Sequence, residues 1–274
     1  MKQIALLTVM MLSLSYTARA VEPVPDKTVV LTFDDAVKSH RTFVGPLLKE
    51  LGFSATFFVT QAWMSDTENF MNWKDIAELH EMGFEIGNHT WSHLGLSKPE
   101  RAERVAEELA LVESELAKVG VPKPTSFAWP GNGFGPEGLA ELRKAGILLA
   151  RRGMQPEQPY GKMVPGPLYD PRGHDPLLIP TSADAYPEWT LGHFRAMAER
   201  AKDGKMVILQ FHGVPDVAHP WVHTPPENFR EYMNHLKSEG YHVLALRDVE
   251  RFIDRSEPIR DPTTEKRHPP AKSP

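Results

Sequence analysis

The residues of the sequence best suited to chemistry are two histidines four positions apart, His89 and His93. On a helical turn, side chains at this spacing lie on one face and can bind the same metal ion. A carboxylate from Asp35 would complete a set of two histidines and one acid, which leaves positions open for water and substrate on Zn, Co, Mn or Fe. Each motif also has an ordinary explanation, since the histidines can be exposed or capping residues and Asp34 and Asp35 can end a strand or cap a helix.

The composition restricts any metal site to nitrogen and oxygen ligands. The 274 residues include 12 histidines and no cysteine, which excludes disulfides, cysteine-type zinc fingers, iron–sulfur clusters and thiol nucleophiles. The formal net charge is −5, whereas a nucleic-acid-binding protein usually carries a basic patch. We therefore expect no nucleic acid partner.

The elements that must position these residues alternate between strands and helices. Apolar runs at 28–33 and 205–211 predict buried strands, and helical periodicity is found at 38–51, 99–119 and 226–239, among others. About seven such units fit the body of the chain, which predicts parallel strands in an α/β fold. Glycine-rich phosphate-binding motifs are absent, which favours a (β/α) barrel over an open sheet.

In such a barrel, the active site lies at the C-terminal ends of the strands. Several predicted strands are followed directly by residues that can bind metal, move protons or contact a ligand: Asp34 and Asp35, His89, Trp129 and Pro130, and His212. We expect these residues to share one face of the barrel. Because Asp34 and Asp35 are adjacent, the strand must end there for both to face the same site.

Residues 1–20 have the pattern of a secretory signal peptide. Lys2 is followed by an apolar run at 4–14 and by the small-x-small sequence Ala-Arg-Ala at 18–20. The run is shorter than the roughly 20 apolar residues of a membrane anchor, so no stable membrane span is expected. We expect an exported protein, periplasmic or secreted.

The other end of the chain, residues 256–274, is rich in proline. Ile259 is its one large apolar residue, too little to offset the entropy of ordering, which predicts a disordered tail. One domain is therefore expected at residues 21–255.

Two segments resemble the motifs of a known family. The sequence Thr-Phe-Asp-Asp at 32–35, followed by His-Thr-x-x-His at 89–93, resembles the first two motifs of the polysaccharide deacetylases of carbohydrate esterase family 4. Residues 208–212 resemble that family's late strand-plus-histidine motif, and the similarity extends over about 28–253. The resemblance implies a distorted (β/α)7-type barrel at 21–255. It also implies a hydrolase that removes acetyl groups, mostly N-acetyl, from a cell-envelope or extracellular polysaccharide.

The resemblance also assigns roles to residues. Asp35, His89 and His93 would bind a divalent metal, expected to be Zn, with Co or Mn as alternatives. Asp34 would be the general base that activates water, and His212 would be the general acid that protonates the leaving amine. The partner would be an acetylated glycan, and no oligomeric state is predicted.

The third motif departs from the family pattern, in which an arginine holds the catalytic aspartate. Here residues 127–132 read Phe-Ala-Trp-Pro-Gly-Asn, with Trp129 and Pro130 as candidate supporting or substrate-contacting residues. Arg151 or Arg152, directly after the next predicted strand, is the candidate replacement for the missing arginine, and a pair of surface arginines is the alternative.

The fourth motif is less clear in the sequence. Asp184 and Trp189 precede His212 at about the distance of the family residues that orient the acid, although Asp184 is equally explained as a turn residue. Trp91 and Trp129 offer flat faces for stacking on a sugar, and a core position is the alternative for each.

Residues 213–225 follow His212 directly and are expected to form a lid or a wall of the substrate groove. His219 and His223 in this segment are an alternative pair for a second metal, although no strand-end carboxylate accompanies them. Two other functions are open: the same site acting on a cyclic amide or ureide, and a glycan-binding protein without catalysis. The predicted signal peptide disfavours the first, and the complete set of site residues disfavours the second.

Overall fold

The computed structural model describes residues 21–270. The predicted signal peptide and the last four residues of the predicted tail, 271–274, lie outside the described residues. Within the described range there are nine strands, most of them separated by helices, although the fifth, sixth and seventh follow one another without a helix between them. The strands are β1 (Thr28–Phe33), β2 (Thr56–Val59), β3 (Glu85–Asn88), β4 (Ser126–Ala128), β5 (Leu149–Arg152), β6 (Ile179–Pro180), β7 (Ala183–Asp184), β8 (Val207–Phe211) and β9 (His242–Leu244).

Seven α-helices lie between the strands of this described range. They are α1 (Gly45–Leu51), α2 (Trp73–Glu81), α3 (Pro99–Ala102), α4 (Val105–Lys118), α5 (Pro136–Lys144), α6 (Leu191–Ala198) and α7 (Pro226–Ser238). A π-helical turn (His40–Val44) precedes α1, and 3-10 turns occupy Pro130–Asn132, Pro220–Val222 and Leu246–Phe252. No described helix is both long enough and apolar enough to cross a bilayer.

The strands pair in parallel and curl into a barrel. Their order is β6-β5-β4-β3-β2-β1-β8-β7, with β9 beside the first half of β1. Thr181 and Ser182, between β6 and β7, join the two edges of the sheet. The Thr181 amide donates to the carbonyl of Arg152 in β5 at 3.0 Å, and the Ser182 amide donates to Ile208 in β8 at 2.7 Å. The predicted distorted (β/α)7-type barrel is confirmed.

The core of the barrel is built around β1. All six residues of Thr28–Phe33 are buried, as expected of a parallel strand that is covered on both faces. The ring of Phe33 stacks on Phe57 of β2 and on Phe211 of β8, with centroids 5.0 and 5.3 Å apart. This continuous apolar run is the reason that the sequence predicts both ends of β1 correctly.

Other elements are more irregular than the sequence periodicity predicts. The helix predicted over 99–119 is divided at residues 103–104 into α3 and α4, and the helix predicted over 38–51 begins as a π-helical turn. The two-residue strand β7 is too short for a period-two pattern to reveal.

Residues 256–270 do not form the predicted disordered tail. Asp261 and Thr263 are buried, and a carboxylate oxygen of Asp261 accepts from the backbone N–H of Asp175 at 3.3 Å. The prediction considered only apolar burial, whereas this segment is held by polar contacts.

The end of this C-terminal segment pairs with the barrel. His268 and Phe134 exchange two backbone hydrogen bonds of 2.7 and 2.9 Å. Arg267 binds the carboxylate of Glu137 in α5 at 2.6 Å. The domain therefore continues beyond the predicted boundary at residue 255, to at least residue 270.

Candidate metal and catalytic site

A cavity of about 230 Å³ opens where the sequence predicts the site. It contains all five residues with predicted metal or catalytic roles. Its lining residues are Asp34, Asp35, Trp63, His89, His93, Trp129, Gly131, Asn132, Tyr160, Asp184, Gln210, His212, His219, Trp221 and Val222.

The backbone turns sharply at the end of β1. Asp35 and Ala36 have φ angles of 73° and 55°, in the left-handed region that residues with a β-carbon rarely adopt. This turn ends the alternation of side chains along the strand. Asp34 and Asp35 therefore both line the cavity.

Four imidazoles surround the carboxylate of Asp35. The Nε2 atoms of His89 and His93 lie 3.5 and 3.7 Å from its Oδ1. On the other side, Nε2 of His212 lies 3.8 Å and Nδ1 of His219 lies 3.9 Å from its Oδ2. The structure brings the three predicted ligands together. His212 lies at the opposite oxygen of Asp35 from His89 and His93.

Asp35, His89 and His93 fit a divalent cation. One ligand atom from each lies within 4.8 Å of the others, and Oδ1 of Asp35 is buried with no hydrogen-bond partner among the described residues. Nδ1 of His89 donates to the carbonyl of Ala128 at 2.8 Å, which leaves Nε2 available as a ligand. Two imidazole nitrogens and one carboxylate oxygen suit Zn and other first-row divalent cations.

The surroundings of the three ligands set their protonation states. Burial favours a higher pKa for Asp35, but the imidazoles of His89 and His93 outweigh it and hold the pKa well below its usual range. Burial lowers the pKa of His93 to about 4. Burial disfavours the protonated form of His89. The nearby carboxylates of Asp35 and Asp34 outweigh this effect and raise the pKa of His89. A cation therefore meets an ionised Asp35 and a neutral His93, and it competes with a proton only at His89.

The loop that carries the two histidines is not the helical turn that their spacing predicts. Thr90 and His93 have positive φ angles of 61° and 54°. The side chain of Asn88 accepts from the amide of Thr90 at 2.9 Å, and Thr90 Oγ1 accepts from the amide of Leu94 at 2.7 Å. These local bonds, rather than helix geometry, bring His89 and His93 to one cation position.

Glu108 of α4 holds the same loop from outside. Its buried carboxylate accepts from the backbone N–H of Ser92 at 2.8 Å and from Ser92 Oγ at 2.9 Å. Since Ser92 directly precedes His93, Glu108 helps to position that predicted ligand. No sequence pattern points to Glu108, because a glutamate within a helical pattern carries no signal of its partner.

Asp34 is held by Arg151 of β5. Nη2 of Arg151 donates to Oδ2 of Asp34 at 2.5 Å, and both side chains are buried. Arg151 also donates to the side-chain oxygen of Gln210 in β8. Arg152 instead binds Glu157 at 2.6 Å. Of the two candidate replacements for the missing motif arginine, Arg151 reaches Asp34 and Arg152 does not.

His212 lies between Asp35 and Asp184. Its Nδ1 is 4.0 Å from Oδ1 of Asp184, and neither of these two atoms has a hydrogen-bond partner among the described residues. Behind it, the buried ring of His40 donates from Nε2 to the carbonyl of His212 at 3.0 Å. Asp184 thus lies on the Nδ1 side of the His212 ring, beyond hydrogen-bond range.

Trp189 and Trp129 are held in the core. The carbonyl of Trp189 accepts from the hydroxyl of Tyr232 at 2.6 Å, its ring packs near Phe194, and it is not among the cavity-lining residues. Trp129 borders the cavity, but its ring is fully buried and its Nε1 donates to the carbonyl of Leu177 at 2.8 Å. Neither ring offers an open face to a sugar.

Pro130 and Trp91 also lie outside the cavity lining. Pro130 begins the 3-10 turn Pro130–Asn132, which presents Gly131 and Asn132 to the cavity. Trp91 stacks on Trp73, with ring centroids 6.2 Å apart. Pro130 therefore has a supporting position and Trp91 a packing one.

The segment that follows His212 forms one wall of the cavity through His219 and Trp221. The alternative second metal site is not assembled, because His223 Nδ1 accepts from the amide of Asp216 at 3.1 Å. The sequence offered His219 only as half of that pair. Two further lining residues that it missed are Trp63 and Tyr160, which belong to no motif.

Fold and site together define a class of protein, the parallel α/β barrels with an Asp-His-His set at the strand ends. The family model described as polysaccharide deacetylase matches residues 21–150, the part that contains Asp34, Asp35, His89 and His93. This part of the chain belongs to the polysaccharide deacetylase family, and the family predicted from the sequence motifs is confirmed.

A curated relative is the poly-beta-1,6-N-acetyl-D-glucosamine N-deacetylase of Escherichia coli strain K12. The two are 26% identical over 170 residues, which cover 47% of this chain and 25% of the relative. The chain thus spans about a quarter of the length of that relative.

Two solved structures share the fold. A family 4 acetyl xylan esterase from Clostridium thermocellum, in complex with a cobalt ion, is 23% identical, with a TM-score of 0.55 over 86% of this chain and 95% of that one. A pseudoenzyme of the same family from Bacillus anthracis is 15% identical, with a TM-score of 0.54 over 82% of this chain and 66% of that one. At these identities the similarity extends to the fold alone.

Proposed function

We propose that the protein is a metal-dependent hydrolase that removes acetyl groups, in the first place N-acetyl groups, from an exported polysaccharide. The observation that carries the proposal is the arrangement around Asp35. Two imidazoles at one oxygen complete a cation site, His212 lies at the other oxygen, and the neighbouring Asp34 is held by Arg151. The family match and the name of the curated relative support an acetylated amino sugar as substrate.

Asp35, His89 and His93 would hold the cation, for which we propose Zn, with Co or Mn as alternatives. When bound, a divalent cation polarises the acetyl carbonyl and lowers the pKa of a nearby water toward about 7. An amide carbonyl is a poor electrophile, so the reaction needs this assistance.

Asp34 acts as the general base in this proposal. Its Oδ2 accepts from Arg151, whereas its Oδ1 is buried with no hydrogen-bond partner among the described residues. One oxygen is therefore fixed, and the other is available to take a proton from the attacking water. The water oxygen then forms the new bond to the acetyl carbon.

His212 acts as the general acid. An amine leaves readily only when it is protonated, so cleavage of the C–N bond requires a proton donor. Nε2 of His212 faces Asp35, and Asp184 lies 4.0 Å from its Nδ1 on the opposite side of the ring, so Nε2 is the nitrogen directed toward the reacting group. The products are acetate and a free amino sugar.

The size of the cavity is consistent with one sugar unit of a longer chain. Its volume of about 230 Å³ is below the roughly 300–1,000 Å³ typical of sites for drug-sized ligands. The neighbouring units of a polysaccharide would then lie outside it.

The test is acetate release from chitooligosaccharides, peptidoglycan and acetylated xylan, with Zn, Co and Mn added in turn and a panel of ureides in parallel. Asp34→Asn is expected to lower kcat about 10²–10⁴-fold, because the general base is lost. His89→Ala is expected to lose bound metal. Asp26→Asn and His242→Ala, at exposed positions, serve as matched controls.

Four outcomes would contradict the proposal. Full activity of Asp34→Asn would exclude Asp34 as the general base. Full metal content of His89→Ala would exclude the proposed cation site. Turnover of ureides without acetate release from any glycan would show that the substrate is a ureide and not an acetylated glycan. Glycan binding with neither metal nor turnover would favour a binding protein.

We also propose that the enzyme acts outside the cytoplasm, on the basis of the signal-peptide pattern at 1–20. Fractionation of the producing cells should find the protein in the periplasm or the medium, with an N-terminus at Val21. An uncleaved protein in the cytosol would overturn this location.

A further inference from the structure

Residues 213–224, which we call the His219 loop, are organised around one buried acid. Oδ1 of Asp216 accepts from the amide of His219 at 2.7 Å, and Oδ2 accepts from the amide of Gly213 at 3.2 Å. The amide of Asp216 itself donates to Nδ1 of His223 at 3.1 Å. These bonds give the His219 loop an internal framework.

The loop is also attached to the barrel at its base. The amide of Thr224 donates to the carbonyl of Gly213 at 3.1 Å, and the amide of Val214 donates to Ser39 Oγ at 2.8 Å. A β-carbon at Gly213 would lie 2.7 Å from Cα of Asp216, so this close approach requires glycine. The loop therefore has a defined shape.

His219 projects from this framework into the cavity wall. Nδ1 of His219 lies 3.6 Å from Oδ2 of Asp216, beyond hydrogen-bond range, and it is buried with no hydrogen-bond partner among the described residues. Three aromatic rings surround the imidazole, with centroids at 5.0, 5.6 and 5.2 Å: Trp63, Phe70 and Trp221. The His219 ring nevertheless lines the cavity, and its side chain is 13% exposed, so the ring can contact a ligand.

His219 lies apart from the cation site. Among the described residues, the one group of three that could hold a metal ion is Asp35, His89 and His93, and His219 does not belong to it. His219 and the proposed acid His212 instead approach Oδ2 of Asp35. The acid must face the leaving amine, which is part of the sugar, so His219 lies on the side of the cavity that the sugar occupies.

We propose that His219 is a substrate-contacting residue that hydrogen-bonds the sugar bearing the acetyl group, with Trp221 beside it as an apolar face. The inference rests on the proposed function and narrows its substrate class to sugars rather than small ureides. Sugar sites combine a few polar groups with aromatic faces. Trp221 is 41% exposed and retains a free surface for this purpose, unlike the buried Trp129.

The experiment compares His219→Ala and His219→Gln with the parent enzyme on an N-acetylglucosamine tetramer and on 4-nitrophenyl acetate, which carries no sugar. Loss of one hydrogen bond is expected to raise KM for the tetramer about 3–10-fold. His219→Gln, which keeps a donor and an acceptor, should recover part of this effect. Activity on the tetramer should fall relative to activity on the aryl acetate, and the metal content should stay that of the parent. His242→Gln provides the exposed-histidine control.

Several results would overturn the inference. An unchanged KM for the tetramer would exclude a sugar contact, and loss of metal from His219→Ala would assign His219 to the cation site. An equal loss of activity on both substrates would show a general disturbance of the site.

Failure of the proposed function is recognised separately, because the parent enzyme would then release no acetate from any glycan. In that case a calorimetric titration with the same tetramer still decides the inference. Equal tetramer affinity of the parent protein and His219→Ala, or no binding to either, would overturn it.

Asp216 acts through His219 and is a positioning residue. Asp216→Asn should raise KM for the tetramer in the same direction as His219→Ala. The double variant should be no worse than His219→Ala alone, because the two changes remove one contact. Additive effects would contradict this coupling.

Discussion

The buried ion pair between Asp34 and Arg151 shows how a single residue can serve both catalysis and folding. Arg151 is fully buried and donates to Asp34 and Gln210. Removal of one partner from a buried pair leaves the other charge unpaired, which costs more than the pair itself contributes. Changes at Arg151 are therefore expected to affect stability and activity together.

Arg151→Leu should lower the free energy of unfolding by about 3–5 kcal/mol, because Asp34 stays buried without its donor. Acetate release should fall with it. Arg151→Lys keeps the charge but not the planar set of donors, so it should be intermediate in both respects. Urea denaturation and acetate release measure the two effects, and a Leu variant of full stability would contradict the role of the pair.

His40 makes the stability of the protein depend on pH. Its ring is fully buried beneath His212, and burial lowers its pKa from the ordinary 6.5 to about 4. Between these values the unfolded chain binds the proton and the folded protein does not. The free energy of unfolding should therefore fall as the pH is lowered from about 6.5 to about 4.

The measurement is the free energy of unfolding as a function of pH for the parent protein and for His40→Asn. His93 titrates in the same range, so only the difference between the two curves belongs to His40. The variant should show a shallower decline, and exposed His242→Gln should retain the parent slope. Identical slopes in His40→Asn and the parent would exclude His40 as the source.

At the scale of elements, helix α4 and the loop after β3 form one functional unit. Glu108 lies on the buried face of α4 and holds Ser92, the residue before the ligand His93. Residues that orient a metal ligand typically contribute a factor of about 10–100 in metal affinity.

Glu108→Gln should therefore weaken Zn binding by about tenfold, and Glu108→Ala by more. The amide of the Gln variant keeps an acceptor for Ser92, but it loses the charge. Competition with a chelator of known affinity measures the effect. Glu107→Ala, the exposed neighbour on the same helix, should bind Zn as the parent does, and equal affinity in all variants would contradict the role of Glu108.

The elements also show how far sequence patterns predict this fold. β1 was predicted with both ends correct because a buried parallel strand is a continuous apolar run. β6 and β7 have two residues each, and no periodicity can identify so short an element. The motif residues Asp35, His89 and His93 come together as their spacing predicts, but by loop hydrogen bonds that a helical interpretation does not contain.

Whether a side chain reaches the cavity was harder to predict, because exposure depends on contacts between distant segments. Trp129 and Trp221 both border the cavity, yet the first is enclosed by α5 and the second is exposed. Arg151 and Arg152 are adjacent in β5, but Arg151 reaches Asp34 whereas Arg152 reaches Glu157.

At the scale of the whole molecule, the C-terminal segment supports the cavity from behind. Residues 256–270 pair with the barrel through His268. Pro270 packs directly on Gly133, because a β-carbon at Gly133 would lie 2.7 Å from the Pro270 nitrogen. Gly133 follows the turn Pro130–Asn132, which lines the cavity. The C-terminal segment therefore packs against the turn that lines the cavity, on the side away from the cavity.

Truncation after residue 255 should lower the free energy of unfolding by about 1–3 kcal/mol, because several hydrogen bonds are lost. It should also raise KM for an acetylated glycan. Removal of residues 271–274 alone is the matched control and should change neither quantity. A truncated protein with the stability and KM of the parent would restore the view that this segment is a disordered tail.

The closure of the barrel lies beside Asp34, the proposed general base. Thr181 joins the two edges of the sheet. Its hydroxyl oxygen accepts from Arg151 at 3.3 Å, and the hydroxyl donates to the side-chain oxygen of Gln210 at 3.1 Å. If local opening begins at this closure between β5 and β8, Asp34 loses its partner while the rest of the core is still intact. Heat inactivation would then precede the loss of secondary structure. The half-life of activity at high temperature would depend on the stability of the contacts at this closure.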